Sequence, residues 1–314
     1  MNIQFAVSPH SRDLREIVVN WASSTQESNS SVMAIVEASM LEAKNIKSLL
    51  KEHRSSMTSI LPNLPTESNG FHGPVLWDVG TQPFHLLQRL IWFSNKKPAL
   101  SLIKKRENVD NKTLCDLLRW LTLIETEDGL QLCCRYADTR ILPGFLDNLE
   151  VTQQKALAEV IEAWCWISRD GMGLEERNFL KSSTLKNLEP LNRTLKISDA
   201  QYSGILRFAE EDMVCQLIIE RMPDLLPNGL SAETHHRMTK ILAQARSKGI
   251  EDLKDLFEFA VIALSTYDNF SAHPCLEKLW EEYKLKKSSF SQWVADWPEN
   301  VWLEIENPIL PHAN

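Results

Sequence analysis

Residues 129–140 read GLQLCCRYADTR. Leu130, Leu132, Cys134 and Tyr136 occupy alternate positions, with Gln131, Cys133 and Arg135 between them. A period of two predicts a half-buried strand. The preceding TLIET (122–126) is a partner strand, and Glu127-Asp128-Gly129 between them signals a hairpin, because Asp-Gly supplies the positive φ of a tight turn. The strand then runs into Arg135-Tyr136-x-Asp138-x-Arg140. An Asp between two arginines can accept paired hydrogen bonds and cap the next helical turn. Ion-pair networks of this kind are commoner than active sites, so a structural role is expected for Arg135, Asp138 and Arg140.

Upstream of the hairpin, the sequence alternates strand and helix. SVMAIVEAS (31–39), GPVLWDVG (73–80) and PALSLIKK (98–105) predict strands, and LEAKNIKSLLKEH (41–53), PFHLLQRLIWF (83–93) and Asn111 to about Leu121 predict helices. LPNLPTESNGFHG (61–73) is a loop by its Pro, Asn and Gly content. Downstream, a short helix after Pro143 carries Phe145 and Leu146, and VTQQKALAEVIEAWCWISRDG (151–171) holds a helix and a further strand. On that strand Trp164 and Trp166 share a face; core packing is the expected use, a binding platform the other.

From about residue 197 the pattern is helical. Ser198-x-x-Gln201 forms a capping box ahead of Tyr202, Ile205, Leu206, Ala209, Met213 and Leu217. A second helix carries Met238, Ile241, Leu242 and Ala245 and stops at Gly249, a third carries Leu253, Leu256, Phe257 and Ala260, and Pro274 opens a fourth. The expected fold is an α/β N-terminal lobe over 31–171, a mixed sheet with flanking helices, followed by an all-α lobe over 172–314. Residues 1–30, ending in SSTQESNSS, are expected to form a flexible or peripherally docked arm.

Composition narrows the function. The chain has 314 residues, 43% hydrophobic and 24% charged, with ten tryptophans and a net charge of -8. Residues 1–171 carry 18 basic and 20 acidic side chains and residues 172–314 carry 16 and 22. Short basic runs such as Lys104-Lys105-Arg106 lack the interleaved aromatics of a nucleic-acid platform. Six cysteines without CxxC spacing are expected to be small buried thiols in a reducing compartment. No export signal and no apolar run near 18 residues is visible, so a cytoplasmic protein without a membrane span is expected.

The usual catalytic signatures are missing. The eight histidines are scattered, and His235-His236 lack the i, i+3 or i, i+4 spacing of ligands on one helix. No phosphate-binding Gly-rich loop or serine nucleophile elbow is present. Glu37, Asp78 and Glu125 lie on predicted strands and would make a metal-dependent hydrolase or toxin only if they converged at strand ends. The expectation is a binding protein with no cofactor and no resident metal.

The order GPVLW (73–77), PALSLI (98–103), LCDLLRWLTLIETEDGLQLCCRYADTRILPGFL (114–146) and WCWISRDG (164–171) resembles the effector chaperones, or adaptors, of bacterial type VI secretion, a family long carried as a domain of unknown function. The resemblance covers about 32–155. Thr139 stands where the family's turn usually has Pro, and Glu37 where its first strand commonly has Asp. What it implies is a cytoplasmic, non-enzymatic protein that binds a type VI effector and delivers it to the VgrG spike. Tryptophan is enriched at interface hot spots. Trp77, Trp164 and Trp166, with Arg135, Tyr136, Asp138 and Arg140, are therefore the candidate structural or partner-binding residues, and a groove between the lobes is the expected seat of the effector.

Overall fold

The computed structural model describes residues 4–24, 31–61, 73–79, 84–180, 194–285 and 288–306. Most of the polar run at 23–31 and of the 61–73 loop lies outside them. The chain divides into two compact units, Val7–Ala209 and Met1–Ala6 with Glu210–Asn314.

The unit Val7–Ala209 is α/β. In chain order it contains α1 (Leu14–Ser23), β1 (Ser31–Glu37), α2 (Ala43–His53), β2 (Met57–Ser59), β3 (Pro74–Asp78), α3 (His85–Phe93), β4 (Leu100–Lys105), α4 (Asn111–Thr122), β5 (Leu123–Glu125), β6 (Gln131–Cys133), α5 (Leu142–Asp147), α6 (Val151–Val160), β7 (Ile161–Ile167), β8 (Leu174–Asn178), β9 (Leu195–Lys196) and the start of α7 (Asp199–Arg221). Six strands pair antiparallel in the order β2-β3-β1-β4-β7-β8. A second sheet, β6-β5-β9, is mixed, with β5 antiparallel to β6 and parallel to β9.

The large sheet is buried on both faces. Along β1, Val32, Ala34 and Val36 enter one core with Trp77 of β3, Leu102 of β4 and residues of α1, α2 and α3. Met33 and Ile35 enter the other with Ile103, Trp164 and residues of α4, α5 and α6. Alternate side chains point to opposite faces, so a strand covered twice must be apolar throughout, as VMAIV is. At one end of the sheet order, β8 presents Glu175, Glu176, Arg177 and Asn178 as exposed side chains. β2 at the other end is three residues long.

The first thirty residues hold more than an arm. Leu14, Val18 and Ala22 of α1 are buried in the core beneath α3 and β1. Just before α1, Ser8 N donates to Arg169 O at 2.9 Å and Ser11 N to Gly171 O at 2.9 Å, stitching this segment to the β7–β8 turn. Gly171 has φ +72°, and a Cβ there would sit 2.4 Å from the Pro9 carbonyl oxygen, so only glycine suits the position. The spacing 14, 18, 22 is that of a helical stripe, but the polar run following it dominates the composition of the segment. β8 and β9 both follow residue 172, where the sequence pattern places the start of the helical lobe; each is recruited by a strand of the α/β unit, β7 and β5.

The other unit is helical: the end of α7, then α8 (Ala232–Ser247), α9 (Leu253–Ser265), α10 (Glu277–Leu285), α11 (Phe290–Ala295) and α12 (Glu299–Glu306). Its helices end as their sequences dictate. After α8, Gly249 at φ +85° closes a Schellman turn, in which Ile250 N donates to Ala245 O and Gly249 N to Arg246 O, while Ile250 itself is buried. The Ser198-Gln201 box ahead of α7 forms in both directions, at 3.0 and 3.3 Å. The core is aromatic: Trp280, Trp293, Trp297 and Trp302 follow one another at ring separations of 4.9, 5.0 and 5.3 Å, joined by Phe259 and Phe290.

The buried Asp255 holds α11 in place. Its carboxylate accepts from Phe290 N at 2.8 Å, Ser291 N at 3.0 Å and the Ser291 hydroxyl at 2.6 Å, capping the first turn. Burial works to raise this carboxyl's pKa, but the bonds from Ser291 and Phe290 outweigh it and hold the value below the ordinary range. A depressed folded pKa gives stability that is complete above the unfolded value of about 3.9 and is lost as pH falls through the folded value. Asp255→Ala strands three donors and is expected to cost about 2–4 kcal/mol. The measurement is the urea midpoint at pH 7. The deficit relative to wild type should shrink as both proteins are taken below about pH 4.

Candidate functional site

The Arg-Tyr-x-Asp-x-Arg turn is a structural corner of the α/β unit. Leaving β6, Cys134 N donates to Thr122 O at 2.8 Å, which turns Cys134 and Tyr136 inward. Tyr136 is fully buried; its hydroxyl donates to Leu118 O at 3.0 Å, and its ring meets Trp164 edge-on at 5.8 Å and lies against Phe145 at 6.2 Å. Burial pushes the phenol far above its usual pKa, so it remains a neutral hydrogen-bond donor.

Two residues later the chain reverses around Asp138. One carboxylate oxygen accepts from Arg140 N at 3.0 Å and Arg140 Nε at 3.1 Å, and the other from Arg140 Nη2 at 2.7 Å. Asp138 O accepts from Ile141 N and Leu142 N at the start of α5, and Thr139 N donates to Pro98 O ahead of β4. The acid-base pair thus closes the corner that ties the hairpin to the large sheet. Arg135 stands apart from it. The alternation that buries Cys134 and Tyr136 turns Arg135 to the exposed side, so the expected three-membered cluster is the pair Asp138–Arg140.

Trp77, Trp164 and Trp166 are core residues, 0%, 0% and 5% exposed. Trp164 Nε1 donates to the Ser101 hydroxyl across the strands, and Trp166 Nε1 to Glu175 of β8, each at 3.0 Å. The tryptophan that does face outward in this unit is Trp92 on α3, 78% exposed. It was legible as a departure from the helical stripe: Leu86, Leu87, Leu90 and Ile91 share the buried face, and Trp92 lies two positions past Leu90, about 200° around the helix.

The three carboxylates weighed as a hydrolase site do not converge. Antiparallel pairing puts Glu37 opposite Pro74 and Asp78 opposite Met33, four residues or about 13 Å apart along β1. Glu125 belongs to the other sheet, facing Lys196 at 3.6 Å and Gln131 at 3.4 Å. Glu37 is buried and accepts from the Ser39 hydroxyl and amide, closing the turn after β1. His235 and His236 diverge as their spacing requires: His236 is exposed, while His235 is half-buried 4.0 Å from Asp212.

All six cysteines are free, but only Cys115, Cys134, Cys165 and Cys215 are buried as expected; Cys275 is half-buried, and Cys133, on the outward side of the β6 alternation, is exposed. Burial raises the Cys134 thiol to about 12, so it carries no thiolate at neutral pH. Among the described residues no helix is long and apolar enough to cross a membrane.

Residues 33–156 match the family model described as a domain of unknown function, DUF4123. No curated protein and no solved structure matches the chain. The DUF4123 span starts within β1 and ends within α6, so it takes in the hairpin, the Asp138–Arg140 corner and four of the six strands of the large sheet.

Asp138→Ala leaves the Arg140 guanidinium half-buried and opens the corner; a loss of about 1–3 kcal/mol is expected. Arg135→Ala, on the exposed side, should change stability by less than about 0.5 kcal/mol. Paired chemical denaturation of both variants against wild type checks the contrast.

Proposed function

We propose that this chain is a cytoplasmic adaptor that binds a type VI secretion effector and loads it onto the VgrG spike, acting as a binding protein and not as an enzyme. The observation that carries the reading is the match of residues 33–156 to DUF4123. It covers almost the same span as the resemblance to type VI effector adaptors, about 32–155. The separation of Glu37, Asp78 and Glu125 supports it by removing the carboxylate cluster on which a hydrolase reading rested.

Within this reading, the matched domain performs the task common to such adaptors, engagement of the spike, and the helical unit fits the individual effector. Trp92 suits the first role, since it lies in the matched span and offers a large exposed aromatic surface. The test uses the whole chain, because a cut near residue 171 would strip β8 from β7. Tagged protein is mixed with the spike tail and with the effector encoded beside it, and each affinity is measured by calorimetry. Trp92→Ala should weaken spike binding at least tenfold, about 1.4 kcal/mol or more, with an unchanged melting temperature. Failure to bind either partner overturns the adaptor reading. So does metal-dependent hydrolysis of nucleic acid, lipid or peptidoglycan that Asp78→Ala abolishes.

A further inference from the structure

The helical unit brings together three side chains that no part of the adaptor reading uses. His273, Cys275 and Glu304 each offer one ligand atom, and these atoms all lie within 4.8 Å of one another. His273 and Cys275 flank Pro274 in the short 3-10 turn Pro274–Leu276, and Glu304 comes from α12, whose Val301 and Ile305 are buried. His273 is itself only 7% exposed. Its Nδ1 lies 2.9 Å from Cys275 Sγ and accepts a long bond, 3.3 Å, from Cys275 N. The ring is thus turned toward the thiol, and its other nitrogen, Nε2, is buried with no hydrogen-bond partner among the described residues.

We propose that His273 Nδ1, Cys275 Sγ and the Glu304 carboxylate form a zinc site that clips α12 to the turn at Pro274–Leu276. The donor set of nitrogen, sulfur and oxygen is one that zinc accepts, and a tetrahedral ion with bonds of about 2.0–2.3 Å needs donors roughly 3.3–3.6 Å apart. The present separations, 2.9 Å for Nδ1 to Sγ and at most 4.8 Å for any pair, bracket that value. The required adjustments are side-chain rotations of a few tenths of an ångström to about one. Three protein donors leave the fourth position to water, on the side where Glu304 is exposed. Zinc binding releases the thiol proton to solvent as the Zn–S bond forms, with no change of oxidation state.

A second cluster, Glu52, His53 and His85, is the weaker candidate. Glu52 is already engaged by Arg89 at 2.5 Å, so its charge is met by a guanidinium and not free for a cation. It also lacks a thiolate, the donor that most favours zinc over magnesium or calcium.

The test is zinc and cobalt(II) titration of the full chain, reduced and stripped of metal, with a chromophoric chelator as competitor. One equivalent of zinc should bind, and cobalt should give a thiolate charge-transfer band with the visible bands of a tetrahedral site. Cys275→Ser should abolish the charge-transfer band and weaken zinc binding about a hundredfold, and Glu304→Gln about tenfold, since a ligand or its charge is lost. Zinc should also slow proteolytic removal of α12 in wild type and not in Cys275→Ser. No saturable binding, unchanged binding in Cys275→Ser, or loss of binding in His85→Ala instead would each overturn the proposal.

Discussion

A sheet with apolar side chains on both faces has to be covered twice, and the architecture of the α/β unit follows from that demand. β1 and its neighbours send Val32, Ala34, Val36 and Trp77 to one side and Met33, Ile35 and Trp164 to the other. Antiparallel strands often leave one face to water; here neither can be left. The first side is closed by α1, α2 and α3, the second by α4, α5 and α6. Burying side chains of this size is worth about 1.5–3 kcal/mol each, so losing a helix layer would expose enough surface to unfold the unit.

The corner at Asp138 matters because it lets one segment serve two layers. Tyr136 fills the space between Trp164 of the sheet and Phe145 of α5, and the Asp138–Arg140 pair then turns the chain so that α5 can start at Leu142. A charged pair is suited to this because it satisfies a backbone amide and fixes the arginine in the same act. The bond from Thr139 N to Pro98 O then locks the corner to the sheet.

Where a segment's period was clean, the sequence was enough. The Asp-Gly turn, the Ser198-Gln201 box and the Gly249 stop each rest on contacts within a few residues, and each has its expected structure; of the alternating 130–136 only Gln131–Cys133 pairs as a strand, and Leu130, at the turn, is exposed. What escaped depends on partners distant in the chain. α1 is recruited by the sheet across the polar run, and β8 and β9 are short strands that exist because β7 and β5 offer unpaired edges. For the candidate site, the buried tryptophans and the exposed Trp92 could have been told apart from their positions on the strand period and the helical wheel. The separation of Glu37 from Asp78 could not, because it follows from strand direction and register. The grouping of His273, Cys275 and Glu304 likewise depends on how α12 packs back on a turn some thirty residues earlier.

The two ends of the large sheet have a bearing on the protein's behaviour in a crowded solution. An outer strand with free amides and carbonyls is a template on which a second molecule can add its own strand. β8 meets such an approach with Glu175, Glu176 and Arg177 in a row, and β2 offers only three residues. A parallel, in-register copy on β8 would set Glu175 and Glu176 of two chains at the interstrand spacing of about 4.8 Å, and like charges placed so close repel. Charge on one edge and brevity on the other both work against edge-to-edge growth of the sheet.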